Sequence, residues 1–190
     1  DPLIVASLGR SVLRGLAAGG VVGVIKHMPG QGRASVDSHH DLPVVDVDDA
    51  TLAADLLPFQ RLADAPMGMT GHIIFPAWDA DRPATLSPIV IERIIRDRIG
   101  FDGLLMSDDL DMKALKGDVA GRAAGCVAAG CDVALNCWGR MDEMIAIADV
   151  LPSLTARGRQ RLDRAMASIT PEKADFAQLI EKRDALLALV

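Results

Sequence analysis

From Pro2 to Ala18 the apolar residues Leu3, Ile4, Leu8, Val12, Leu13 and Leu16 recur at helical spacing, and Gly19-Gly20 stops the run. A different rhythm follows. Val21–Lys26 is a short β-branched run that reads as a strand, after which helical and strand-like stretches alternate. Helices are expected over Asp49–Ala63, from Ser87-Pro88 through Ile99, and over Lys113–Ala129, where Gly130 closes the element. The strands between them are Pro66–Phe75, Leu104–Ser107 and Asp132–Asn136, and the nearly continuous apolar sequence of the first marks burial on both faces. Ser87 can accept a backbone N–H bond, and Pro88 at the first helical position lacks only a donor that is not needed there. Met141–Val150, Leu154–Ile169 and Lys173–Leu189 read as further helices. Four βα units in succession predict a parallel sheet.

The polar residues His27, His72, Asp108, Asp109 and Asn136 lie at or just beyond the ends of expected strands, the face on which parallel α/β folds bind ligands. Composition narrows what that rim can do. The chain has 190 residues, half of them apolar, enough for one domain spanning 1–190 with a sizeable core. A net charge of −6 leaves no basic stripe for phosphates, so nucleic acid and anionic membrane are not expected partners, whereas small neutral substrates are. The apolar runs fall far short of the ~20 residues that cross a bilayer, and with no signal peptide a cytoplasmic setting is expected. Cys126, Cys131 and Cys137 are odd in number and include no C-x-x-C pair, so they read as small buried thiols. Met67, Met69 and Met112 read as core filler.

Three of the four histidines fall in KHMPGQGRASVDSHHDLP, Lys26–Pro43, a stretch too rich in Gly and Pro for a helix or strand. Loops this polar usually exist for a site. In a turn, Asp37 can accept a bond from one nitrogen of His39 and leave the other to exchange protons, and imidazoles titrate at ~6.5, near neutral pH. The pair Lys26-His27 offers donors to hydroxyl groups. In LLMSDDLDMKAL two adjacent carboxylates end a buried strand, where they repel unless something uses them. Strand alternation lets only one of Asp108 and Asp109 face inward, and the other would cap or brace. Neither H-x-H nor H-x-x-x-H occurs, which disfavours a metal centre, and no glycine pattern fits a dinucleotide or P-loop, so no cofactor is expected.

The segments KHMPGQGRASVDSHHDLP, TGHIIFPAWDADRPATLSP, IGFDGLLMSDDLDMKAL and AGCDVALNC together resemble the family 3 glycoside hydrolases, specifically bacterial β-N-acetylglucosaminidases of cell-wall recycling, from about Gly20 to Trp138. The resemblance implies a (β/α)₈ barrel of TIM type and a retaining β-N-acetylhexosaminidase, acting without metal on terminal N-acetylglucosamine of peptidoglycan fragments. It implies that Asp108 is the nucleophile, His39 the acid/base and Asp37 its orienting partner, with Lys26, His27 and His72 contacting the sugar. Gln31 stands where the family usually has His.

Only the last four βα units of such a barrel are present, with additional C-terminal helices, and the upstream Asp and Arg that help hold the sugar are absent. Half a barrel exposes strand edges and an apolar inner face. The other half is therefore expected from another chain, from a longer polypeptide, or through self-association. Two rival readings accompany this one: a non-catalytic half-barrel subunit or scaffold, and a metal-dependent hydrolase using His27, His39 and Asp108.

Overall fold

The first helix, α1 (Pro2–Ala18), forms where the apolar spacing predicts it, and its N-terminus is capped by the Asp1 carboxylate, which accepts the Leu3 N–H at 2.8 Å. The computed structural model describes residues 1–171 and 175–189. In it α1 leads into β1 (Val24–Met28), α2 (Asp49–Arg61), β2 (Met67–Thr70), a 3₁₀ turn (Ala84–Leu86) and a helix over Val90–Arg98. Next come β3 (Leu104–Asp109), α3 (Val119–Ala129), β4 (Val133–Leu135), α4 (Met141–Val150), α5 (Ala156–Ala167) and α6 (Phe176–Leu187). The four strands form one parallel sheet in sequence order, each joined to the next by a helical crossover.

Boundaries moved where local chemistry overrode the apolar pattern. β1 begins three residues later than expected and runs two residues past Lys26 to Met28, so His27 and Met28 are strand rather than loop. β2 ends at Thr70, and beyond it there are only isolated bridges, a parallel one from Val44 to Ile74 and an antiparallel one within the turn Phe75 to Asp79. α3 does not start at Lys113, because Gly117 takes a positive φ of 86° and Asp118 then caps the helix by accepting the Gly121 N–H at 2.7 Å. The segment Val90–Arg98 is π-wound, with Ile99 N–H bonding back five residues to the Ile94 carbonyl. Its buried residues Val90, Ile91, Ile94 and Ile95 are spaced as in an α-helix, so periodicity alone could not separate the two. Ser87 caps it as expected, its Oγ accepting the Val90 N–H. Of the final expected helix, Lys173 and Ala174 lie outside the described residues.

The core lies between the sheet and its helices, with Ile25, Met28, Leu52, Leu56, Ile91, Ile95, Phe101 and Leu105 all buried. Gly68 permits the closest approach there, since a side chain would run into Met28 and Phe101. On the sheet's other face, Met67, Met69 and Met106 stay half-buried, so of the three methionines expected as core filler only Met112 is buried. α1 buries only Ala6 and leaves Leu3, Ile4, Val5, Leu8 and Val12 exposed. A cavity of about 630 Å³ lies beside α1 and is lined by Val5, Val12, Leu16, Ile25 and Phe59 among others. Among the described residues nothing pairs with the outer edge of β1 or of β4, and no helix is long and apolar enough to cross a membrane.

Candidate active site

Parallel strands share polarity, so β1, β2 and β3 deliver their C-terminal ends to a single rim. His27 is the penultimate residue of β1 and Asp108 of β3, while His72 lies two residues past β2. The Lys26–His27 and Met28–Pro29 peptides are cis. Lys26 is exposed on this rim.

Alternation along β3 separates the two carboxylates. Ser107 faces the helices and β4, where its Oγ accepts the Leu135 N–H at 2.9 Å, so Asp108 turns the other way. Asp108 is 9% exposed, and its Oδ1 accepts the Asp109 N–H at 2.9 Å. Its Oδ2 faces His27 Nε2 at 3.7 Å, longer than a hydrogen bond. Burial is the main influence on His27 and pushes its pKa down; the Asp108 charge opposes this, while Lys26, His72 and His39 reinforce it. A neutral imidazole therefore sits beside Asp108 at neutral pH. Asp109 braces the rim instead, its Oδ1 accepting N–H groups of Asp111 at 3.2 Å and Cys137 at 3.1 Å, which ties the exit of β3 to that of β4.

Asp37 and His39 meet as the D-x-H spacing predicts. Asp37 Oδ1 accepts the His39 backbone N–H at 2.9 Å and the ring Nδ1–H at 2.8 Å, which leaves Nε2 outside the pair. The backbone bond first, and the ring bond second, hold the Asp37 carboxyl below its usual range. Both side chains are well exposed, 60% for Asp37 and 70% for His39. The loop carrying them is pinned at three places. Gln31 Nε2 donates to the buried Ser38 Oγ at 3.3 Å, and Arg33 pairs with Asp55 of α2. At its far end the Ile74 carbonyl accepts Val45 N–H, and Pro43 accepts Ile74 N–H, each at 2.9 Å. Gln31 thus spans the base of the loop by hydrogen bonding, a task that does not need the charge of a protonated histidine.

His72 departs from the expected sugar contact. It is 1% exposed, with Nδ1 2.8 Å from Thr85 Oγ1 and Nε2 2.9 Å from the Asp109 carbonyl, so a sugar hydroxyl would have to displace one of these partners. Sequence reading missed Thr70 and Thr85, whose hydroxyls lie 2.8 Å apart beneath the rim; a buried Thr facing a histidine has no local signature. Cys126 and Cys131 are buried, but Cys137 is exposed beside the carboxylates. Partial burial, then the charges of Asp109 and Asp108, push its thiol pKa up. Among the described residues no three His, Cys, Asp or Glu side chains converge as metal ligands would.

Residues 1–171 match the glycosyl hydrolase family 3 N terminal domain. The chain belongs to glycosyl hydrolase family 3. This family 3 chain is 40% identical over 192 residues to a β-hexosaminidase of Chromobacterium violaceum, an alignment covering 97% of this chain and 52% of that protein. It also resembles the family 3 β-N-acetylglucosaminidase of Paenibacillus, at 36% identity and a TM-score of 0.73, over 86% of this chain and 33% of the other. NagZ of Neisseria gonorrhoeae, solved with N-trifluoroacetyl-D-glucosamine, superposes with a TM-score of 0.73 at 34% identity, over 85% of this chain and 47% of NagZ. The four parallel strands and their helices are thus part of a TIM-barrel-like domain. The family 3 chain spans about half the length of the curated relatives it matches.

Proposed function

We propose that this chain carries the nucleophile and the acid/base of a retaining β-N-acetylhexosaminidase that removes terminal N-acetylglucosamine from peptidoglycan fragments in the cytoplasm. The observation that carries this reading is the pairing of an open carboxylate oxygen, Asp108 Oδ2, with a separate Asp37–His39 dyad on a loop pinned to the same rim. The substrate class draws support from the N-acylated glucosamine bound by the gonococcal relative; peptidoglycan and the cytoplasm rest on the resemblance to cell-wall recycling enzymes.

In the first step Asp108 Oδ2 attacks the anomeric carbon while His39 Nε2–H protonates the departing glycosidic oxygen, so one C–O bond forms as the other breaks. Asp37 stabilises the imidazolium that delivers this proton. In the second step the neutral His39 takes a proton from water, whose oxygen displaces Asp108 and regenerates the carboxylate. His27, held neutral, and Lys26 donate to sugar hydroxyls.

The remaining sugar contacts and the strands facing β1 and β4 come from a further half barrel, supplied by another chain, by the rest of a longer polypeptide, or by a second copy. The open edges and the apolar groove beside α1 support this. In size-exclusion chromatography with intact-mass analysis, a stable, dilute monomer of the 20.1 kDa chain would count against it.

A fluorinated N-acetylglucosaminyl inactivator tests the chemistry directly. Mass spectrometry should find the label on Asp108, and Asp108→Asn should abolish it; a label elsewhere overturns the nucleophile. Turnover of a fluorogenic N-acetylglucosaminide, with and without the other barrel half, separates an enzyme from a non-catalytic half-barrel.

A further inference from the structure

Beneath the two carboxylates runs a sealed polar chain whose direction can be read atom by atom. The Asp109 carbonyl can only accept, so His72 Nε2, 2.9 Å away, carries the ring hydrogen. In the neutral ring Nδ1 is then an acceptor, and Thr85 Oγ1 at 2.8 Å donates to it. That uses the single hydroxyl hydrogen of Thr85. Its 2.8 Å contact with Thr70 is therefore received from the Thr70 hydroxyl, and the Gly71 carbonyl, 3.1 Å from Thr85, is the weaker competitor for the same hydrogen. Thr70, Thr85 and His72 are 0–1% exposed, so water does not enter to offer the ring another partner. At the other end the Asp109 residue, held by its carbonyl, gives its N–H to Asp108 Oδ1 at 2.9 Å.

We propose that His72 is a positioning residue, locked in the Nε2–H tautomer by the Asp109 carbonyl with Thr85 and Thr70 donating in turn toward Nδ1, which aims Asp108 by holding the backbone of Asp109 and does not bind sugar. The aiming role rests on the reading of Asp108 as the nucleophile; the tautomer does not. Asp108 and Asp109 on β3 favour a charged ring, while Arg122 on α3 and the nearby His27 on β1 disfavour one. Burial outweighs these and holds the ring neutral.

The test has two arms. In the ¹⁵N-histidine-labelled chain, with the His72 signals assigned by their loss in His72→Gln, long-range ¹H–¹⁵N spectra should show one neutral Nε2–H ring from about pH 8 to pH 6, across the range where ordinary imidazoles begin to charge. Thr85→Val, which keeps the shape and removes the hydroxyl, should leave the Nε2–H ring in place, because the Asp109 carbonyl still requires its hydrogen, and should shift the Nδ1 resonance as that nitrogen loses its donor. An Nδ1–H ring, a mixture in the unsubstituted chain, or titration at the ordinary imidazole value overturns the assignment. In the second arm, His72→Ala should slow labelling of Asp108 by the fluorinated sugar about 100-fold, as expected for a reacting group displaced by ~1 Å. The half-saturating sugar concentration should stay within about threefold. His72→Gln, which keeps an N–H where Nε2 stood, should restore most of the rate. A weakened half-saturation with an unchanged labelling rate would assign His72 to sugar binding and refute the positioning role. If the unsubstituted chain takes no label even with the other barrel half supplied, the glycosidase reading fails, and the tautomer arm still decides the ring assignment.

Discussion

Replacing Asp132 with Asn perturbs a buried charge cluster at the opposite end of the barrel from the rim. The Asp132 side chain is 5% exposed, and the residue follows α3 at the entry to β4. Its Oδ2 accepts Arg96 Nη2 at 3.0 Å and the Leu105 N–H of β3 at 2.9 Å, and its Oδ1 accepts Arg161 Nη1 at 2.9 Å. Asn keeps the volume but can turn its oxygen to one side only. With the oxygen toward Arg96 and Leu105, the amide NH₂ meets the Arg161 guanidinium donor to donor, and two buried cations lose their shared counter-charge. Breaking a buried ion pair from one side costs about 3–5 kcal/mol. Three retained contacts argue for the lower end: Arg96 still bonds the Phe101 and Gly103 carbonyls, and Arg161 still pairs with Asp102 at 2.7 Å. A loss of about 3 kcal/mol is a large share of the ~5–15 kcal/mol that holds a domain together, and lowers Tm by about 6–12 °C for a chain of this size. Urea titrations followed by circular dichroism, at one protein concentration for all variants, measure it directly. Asp55→Asn, which breaks the more exposed pair with Arg33, supplies the comparison and should cost far less, because solvent screens that pair. If the two variants lose the same stability, the cluster around Asp132 behaves as solvated surface charge and the reasoning is wrong.

Two further outcomes are expected. His39→Ala should slow substrates with poor leaving groups by about 100-fold or more, and activated aryl glycosides far less, since only the former need protonation; equal losses across a leaving-group series would remove His39 from the acid role. His27 and His72 have lowered pKa values, so below the ordinary imidazole value of ~6.5 the unfolded chain binds protons that the fold does not. Stability should therefore fall with acidification from about pH 6.5 until the folded rings charge, and His72→Gln should flatten that slope; an equal urea midpoint at about pH 7.5 and pH 5.5 contradicts it.

The bounds of α1 and α4 coincide with those read from apolar spacing and flanking residues, because helix periodicity and caps are local properties. Strand order and polarity followed from βα alternation, which also put His27 and Asp108 on one rim. The Asp37–His39 bond was legible because its partners are two residues apart. Other features were not legible, and each for a physical reason. The π-winding of Val90–Arg98 shares its apolar spacing with an α-helix, and only the bond to Ile94 tells them apart. Cys137 looked like its buried neighbours, but one residue past Asn136 the chain has left the sheet.

The sequence by itself determined which segments become strands and helices and which end of the sheet collects the chemistry, since those depend on neighbours a few residues apart. Residue pattern left open which of Asp108 and Asp109 faces inward and the family resemblance named Asp108, whereas tertiary structure alone decided that both nitrogens of His72 are engaged and that Arg161 of α5 joins Asp102, 59 residues before it. These depend on strand register and on contacts across the fold, which no local pattern encodes.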